Sequence, residues 1–251
     1  MCIRDSCSTD RAIEELLLLV NDKRIKILRN DANRGITYSL NVGIDAAVGD
    51  FIARMDADDI NFPQRFQKQV ELLLQNPDLD VVAVGTMLIS PDGRGIGYFP
   101  LRLTHDEITA HPWQAFYFPH PTWMGRADWF KAHRYTTCLC EDQGLLLRTY
   151  QKSKFATVPD ILFAYRLRDT FNFPVIARTR LSCLRQQLKL FLHSHDFHFI
   201  FLSSLIFILK LMRDFFIYKI FGKSPILLSS RSGLSDQDML IWNEVSKLAL
   251  K

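Results

Sequence analysis

Only five cysteines occur in this chain of 251 residues, Cys2, Cys7, Cys138, Cys140 and Cys183, an odd number in no regular framework. That excludes a disulfide scaffold and points to a reducing compartment. Cys138 and Cys140 lack the second pair that a structural zinc site needs, so they read as small packing residues. No apolar run reaches the roughly 20 residues that span a bilayer; the longest candidate, 197–209, is shorter. Residues 1–6 hold no apolar segment of the kind a secretory signal needs, which gives a cytoplasmic expectation. Charge is nearly balanced, with 31 Lys and Arg against 27 Asp and Glu. That excess is too small to imply nucleic-acid binding. Repeats and low-complexity segments are absent as well.

What remains is a 48% hydrophobic chain, long enough for one substantial domain and an appendage. Residues 12–20 carry a helical apolar stripe, 24–28 alternate as a short strand, 36–48 return to helical spacing and 51–55 read as a buried strand. This is a β-α-β progression and predicts an α/β fold. Pro63 suits the first turn of a helix that Asn76-Pro77 stops near Gln75. Residues 80–90 are β-rich, and 91–95 form a turn into a second strand. Thr104 and Glu107 have capping-box spacing. A strand end and a helix are expected over 122–131, a helix over 143–152, and two final strands over 155–158 and 161–167, split by Pro159-Asp160. Beyond residue 172 the composition turns basic and aromatic. Arg178, Arg180, Arg185 and Lys189 precede the 197–209 run, and Lys210, Arg213, Lys219 and Lys223 follow it. Two readings fit: a helix lying in the headgroup region of an anionic leaflet, or one packed on the core or a partner. A final short helix is expected over 239–250. His193, His195 and His198 have offsets that do not share one helix face, which argues against a metal cluster.

The most informative stretch is Asp56-Ala57-Asp58-Asp59, directly after the apolar run that ends at Met55. Carboxylates crowded past a buried strand repel one another and resist desolvation. They either cap the following helix or hold a hard divalent cation together with a phosphorylated ligand.

Around this stretch lie Asn33-Arg34-Gly35, Ser39 to Gly43, Gly49-Asp50, and Pro63-Gln64-Arg65. Downstream come His120-Pro121-Thr122, Glu141-Asp142, Leu147-Arg148 and Tyr165-Arg166. In order and spacing these motifs resemble the inverting family 2 glycosyltransferases over residues 8–168. The resemblance implies a GT-A-type nucleotide-sugar-binding fold, a Rossmann-like mixed sheet flanked by helices, occupying 1–172. Residues 173–251 would form a helical, membrane-associated tail.

The resemblance makes Asp58 the first metal ligand, with Asp56 nearer the ribose and Asp59 orienting the loop; Mg²⁺ or Mn²⁺ is the expected ion. Asp142 becomes the base, with Glu141 in reserve or orienting the acceptor. Asn33, Arg34, Gly35, Asn41, Arg54, His120 and Thr122 fall near the nucleotide sugar. Many relatives have a metal-holding histidine where this chain has Arg168. Arginine cannot ligate a cation, so Arg166 or Arg168 would clamp the diphosphate instead.

The family's Ser-Thr-Asp segment, here starting at Cys7, is normally preceded by a strand, a helix and another strand. The expectation is that this unit is absent and residues 1–6 are foreign to it, with Asp5 and Ser6 where paired aspartates belong and much of the base pocket missing. The Gln-X-X-Arg-Trp motif of processive synthases is also absent, which favours single additions. The implied activity is transfer of one sugar, with inversion, from a nucleotide-diphosphate sugar to a glycan or lipid-linked acceptor. It would take place in a bacterial cytoplasm at the inner face of the membrane, in cell-surface polysaccharide synthesis. A nucleotidyltransferase, or a non-catalytic scaffold descended from such an enzyme, are the rival readings.

Overall fold

The computed structural model describes residues 2–5, 15, 22–167, 172–221 and 234–249. Eight strands and eight helices are assigned among them. In chain order they are β1 (Cys2–Asp5), β2 (Lys26–Arg29), α1 (Ile36–Ala46), β3 (Phe51–Ala53), β4 (Ile60–Asn61), α2 (Arg65–Gln75), β5 (Val81–Ile89), β6 (Gly95–Tyr98), α3 (His105–Thr109), β7 (Met124–Arg126), α4 (Ala127–Ala132), α5 (Glu141–Thr149), β8 (Phe155–Arg166), α6 (Phe173–His193), α7 (Phe197–Phe221) and α8 (Asp236–Ala249). A 3₁₀ turn covers His120–Thr122.

The main sheet runs β3-β7-β5-β8-β4, with β6 paired to the far half of β5. Only β5 and β8 run parallel; the other pairs in that sheet are antiparallel. Strand β5 (Val-Val-Ala-Val-Gly-Thr-Met-Leu-Ile) is buried at all nine positions, because helices and loops cover both faces of a central strand. The expected Thr104 capping box forms, with Glu107 N–H on Thr104 Oγ1 and the Glu107 carboxylate returning to the Thr104 N–H.

Three expectations are corrected. Strand β3 stops at Ala53, because the Arg54 N–H bonds to the Trp123 carbonyl at 2.8 Å and the chain then turns into the acidic loop. The two strands expected around Pro159-Asp160 are one 12-residue strand, β8. Its register against β5 shifts on either side of Gly85. A Cβ on Gly85 would lie 2.6 Å from the Asp160 carbonyl and 2.8 Å from that of Pro159, so the irregularity requires a glycine. In the leading segment, Cys2–Asp5 form β1, which pairs in parallel with β2, from Cys2 opposite Lys26 to Asp5 opposite Arg29. Finally, the run 197–209 is part of a much longer helix, α7, and His193, His195 and His198 sit around the turn between α6 and α7 rather than on one helix. The helical stripe expected over 12–20 falls outside the described residues, apart from Glu15.

The helical segment is built into the core. Phe191 of α6 is buried in the same cluster as Val81, Trp123 and Leu145, with Phe199 and Ile200 of α7 packed against it. Gln187 donates to the Pro112 carbonyl at 3.0 Å and Lys210 to that of Gln114 at 3.0 Å. Trp242 of α8 joins the second cluster beside Phe62 and Phe163. Asp214, buried on α7, pairs with Arg180 of α6 and, at 3.0 Å, with Arg213.

Candidate functional site

The acidic loop leaves β3 between two buried anchors. Behind it lies Arg65, the first residue of α2, with no measurable exposure. Its Nε donates to Gln69 Oε1 at 3.0 Å, its Nη1 to Asn61 Oδ1, and its Nη2 to the Arg54 carbonyl at 2.7 Å and the Pro121 carbonyl at 3.3 Å. Gln69, one turn on, donates to the carbonyls of Val82 and Thr122 at 3.1 and 2.8 Å. Together they tie the loop's root to β5 and to the His-Pro-Thr turn. Arg65 was visible in the sequence within Pro63-Gln64-Arg65, but nothing in the pattern showed that a charged residue there is buried.

Arg166, at the end of β8, is the second anchor. Its N–H donates to Asp59 Oδ1 at 2.8 Å, and its Nε to the Asp58 carbonyl at 2.9 Å. Nη1 reaches the Pro91 carbonyl at 2.8 Å. The guanidinium expected to clamp a diphosphate thus braces the acidic loop. Arg168 lies outside the described residues.

Between these anchors Asp56, Asp58 and Asp59 bring one carboxylate oxygen each within 4.8 Å of one another. Asp58 is exposed, Asp56 half-buried and Asp59 buried. Arg54, nearly buried, donates from Nη2 to Asp56 Oδ1 at 2.7 Å. Its Nε and Nη1 are buried without a hydrogen-bond partner among the described residues, and so is Asp59 Oδ2. Burial pushes Asp59 up to about 7; the Arg166 N–H opposes this, and the charges of Asp58 and Asp56 add to it.

Glu141 and Asp142 occupy the first turn of α5, where the helix dipole favours negative charge. The Glu141 carboxyl is raised above the usual range, first by burial and then by the adjacent Asp142. Arg54 and Asp56 also act on it, in opposite senses, so Glu141 shares an electrostatic neighbourhood with the acidic loop. Asp142 is half-buried, and its Oδ2 accepts from Gln143 Nε2 at 3.4 Å.

His120 is buried beside this pair. Its Nδ1 lies 3.9 Å from Glu141 Oε1, and its Nε2 lies 2.7 Å from the Tyr135 hydroxyl. Tyr135 went unnoticed in the sequence, since a lone tyrosine carries no spacing signal. Thr122, by contrast, is fully buried, with Oγ1 donating to the Pro119 carbonyl at 2.7 Å. It shapes the turn. Asn41 brackets the Tyr135 backbone, donating to its carbonyl at 3.0 Å and accepting from its N–H at 3.1 Å. Asn33, Arg34 and Gly35 form an exposed turn before α1. Asn33 Oδ1 accepts from the Gly35 N–H at 3.1 Å, Arg34 pairs with Asp31 at 2.7 Å, and Gly35 has φ +82°.

Comparison with known proteins defines the class first. The structure is similar to the Staphylococcus aureus TarS 1–349 fragment in complex with UDP, with TM-score 0.56 and 17% identity over 74% of this chain and 55% of that one. It is also similar to the mannosyltransferase PcManGT from Pyrobaculum calidifontis in complex with GDP-Man and Mn²⁺, with TM-score 0.56 and 14% identity over 98% of this chain and 77% of that one. The fold is GT-A. In sequence, the chain is 29% identical over 156 residues to an uncharacterised glycosyltransferase of Methanocaldococcus jannaschii, covering 61% of this chain and 54% of the relative. It is 34% identical over 107 residues to the O-antigen biosynthesis glycosyltransferase WbnJ of Escherichia coli, covering 43% and 41%. The profile of Glycosyl transferase family 2 matches residues 1–134, more than half of the chain, and the protein belongs to that family. It spans about half the length, or less, of these two curated relatives.

Proposed function

We propose that this chain transfers one sugar, with inversion, from a nucleoside-diphosphate sugar to a glycan or lipid-linked acceptor. One observation carries the reading. Three aspartates converge on one point while, among the described residues, Arg54 pairs its guanidinium with Asp56 and a buried oxygen of Asp59 has no hydrogen-bond partner. Oxygen-only ligands with surplus negative charge suit Mg²⁺ or Mn²⁺, held by Asp58 and Asp56. Bound there, the ion supplies positive charge against the leaving diphosphate.

The chain's own groups do the rest. Asp142 takes the proton of the acceptor hydroxyl as its oxygen bonds to the anomeric carbon. The opposite bond, to the diphosphate oxygen, breaks and its electrons leave with the diphosphate. Glu141 orients the acceptor side, and Arg166 keeps the acidic loop in place from behind. The turn Asn33-Arg34-Gly35 borders the nucleotide. The catalytic part is 1–172.

The remainder docks the enzyme on the inner face of a bacterial membrane, as a peripheral protein. No helix among the described residues is long and apolar enough to cross one. Yet Phe197, Phe201, Leu205, Ile208, Met212, Phe216 and Ile220 line an exposed face of α7, and Arg178, Arg185 and Lys189 are exposed on α6. Aromatic and basic groups so placed suit an anionic headgroup layer.

The test is calorimetry with a nucleoside diphosphate and Mn²⁺, paired with turnover of a nucleotide-sugar panel. Asp58→Asn should lose the Mn²⁺-dependent heat; Asp142→Asn should keep it and lose transfer. Absence of heat from the folded native chain would favour a scaffold, and pyrophosphate release from a sugar phosphate and a nucleoside triphosphate would favour a nucleotidyltransferase.

A further inference from the structure

Tyr135 belongs to no motif, yet it stands at the end of a buried chain of contacts that leads to the candidate catalytic pair. We propose that Tyr135 and His120 form a positioning relay in which the tyrosine hydroxyl fixes the histidine tautomer and the histidine then holds Glu141. This rests on the glycosyl-transfer reading above and deepens it.

The relay begins with Asn41 on α1. Its amide grips both the N–H and the carbonyl of Tyr135, a two-point bond that fixes the backbone and so sets where the ring starts. Tyr135 is 5% exposed, and its hydroxyl meets His120 Nε2 at 2.7 Å. His120 is itself buried, with its ring edge-on to Trp123 at 4.5 Å between centroids. Trp123 is held in turn by its Nε1–H on the Phe118 carbonyl at 3.3 Å. The imidazole is therefore locked at one end and across its face, and only Nδ1 is directed at the acidic pair, 3.9 Å from Glu141 Oε1.

The partners decide the proton positions. An ionised carboxylate only accepts, so a bare Nδ1 lone pair facing it would be repulsive; opposite ionised Glu141, Nδ1 carries the hydrogen. Nε2 is then the acceptor, and the tyrosine O–H donates to it. The same logic orients metal-bound and triad histidines, where the bond made by one ring nitrogen sets what the other does. At 3.9 Å the Nδ1–H to Glu141 contact is longer than a direct hydrogen bond, and catalytic contacts of this kind shorten when substrate enters. Glu141 also feels Asp142 on its own helix, Arg54 and Asp56 on the loop, and it acts on Cys138. Its own backbone N–H and the Arg54 guanidinium favour its ionised form, and an Nδ1–H on His120 adds to them in the relay. Without the relay Glu141 would turn toward Arg54, and the adjacent Asp142 would lose its fixed approach to the acceptor.

The experiment uses the full chain with three substitutions: Tyr135→Phe, His120→Asn and His120→Gln. Asparagine places its amide near the position of Nδ1, glutamine near that of Nε2. One readout is nucleoside-diphosphate release from nucleotide sugars with water as acceptor. The other is the ¹⁵N spectrum of His120, which reports its tautomer without any substrate. For Tyr135→Phe we expect kcat to fall about tenfold with an unchanged donor KM, the signature of a contact that matters only in the transition state. The spectrum should lose its pure Nδ1–H form. His120→Asn should retain more activity than His120→Gln, a difference that simple loss of packing would not produce. Unchanged kcat in Tyr135→Phe, or equal loss in both His120 variants, would overturn the relay. If the native chain releases nucleoside diphosphate from no nucleotide sugar, the transfer reading fails separately; the spectrum still decides the relay, which an unchanged tautomer in Tyr135→Phe would refute.

Discussion

Arg65→Lys should loosen the acidic loop and the whole α/β core at once. The arginine's fork satisfies four acceptors: Gln69 Oε1, Asn61 Oδ1 and the carbonyls of Arg54 and Pro121. Its charge sits fully buried against the Phe163 ring, 5.0 Å from the centroid, and burial lowers its pKa below the usual arginine range. A lysine ammonium has three donors converging on one point and can keep about two of those acceptors. Two buried acceptors would go unsatisfied at about 1–3 kcal/mol each, and water entering at the loop's edge puts the total near 3 kcal/mol. For a chain of this size that corresponds to a fall in melting temperature of about 6–12 °C. Because the Arg54 and Pro121 carbonyls flank the acidic loop, Mn²⁺ affinity should also drop on the order of tenfold, as when a group supporting metal ligands is lost. Differential scanning calorimetry and Mn²⁺ titration measure the two effects. A melting point lowered by less than about 2 °C, with unchanged Mn²⁺ affinity, would refute the view that Arg65 ties the loop to the core.

Two further outcomes follow from the same geometry. Asp59 has a folded-state pKa near 7 against an ordinary 3.8, so the native state holds more protons than the unfolded chain between those values, and stability should fall as pH rises through that window. Melting temperature measured in chelator should decline from about pH 4 to pH 7; Asp59→Asn should flatten the decline and Mn²⁺ at pH 7 should reverse it, while a flat native profile would contradict the assigned burial cost. On the exposed face of α7, Phe201→Ser with Phe216→Ser should weaken co-sedimentation with phosphatidylglycerol vesicles about tenfold, and salt should weaken it further. Equal binding to neutral and anionic vesicles would remove the basic residues of α6 from the explanation.

Local patterning carried much of the architecture. The capping box at Thr104, the helix stop at Asn76 and the hairpin turn over 91–95 depend on residues close in sequence, and each stands where the spacing put it. Strand β5 was readable for a related reason: a strand covered on both faces must be apolar throughout. The acidic loop was legible because few folds tolerate three aspartates after a buried strand without a purpose. Glu141-Asp142 opening a helix was legible from the dipole it complements.

Long-range partnership is what the chain order concealed. Nothing in the sequence near Arg166 says that its donors will meet the carbonyls of Asp58 and Pro91, 108 and 75 residues away. Nor does Pro159-Asp160 announce that β8 continues past it, which depends on a glycine in the neighbouring strand. Tyr135 and Arg65 gained their places in the site from burial, and burial depends on what packs around a residue rather than on its neighbours in sequence. The sequence by itself determined the element types, the acidic loop and the family. Only the tertiary structure decided which charged and polar groups would be left short of partners beside that loop, because side chains compete for hydrogen bonds across the fold and the outcome is set when the layers close.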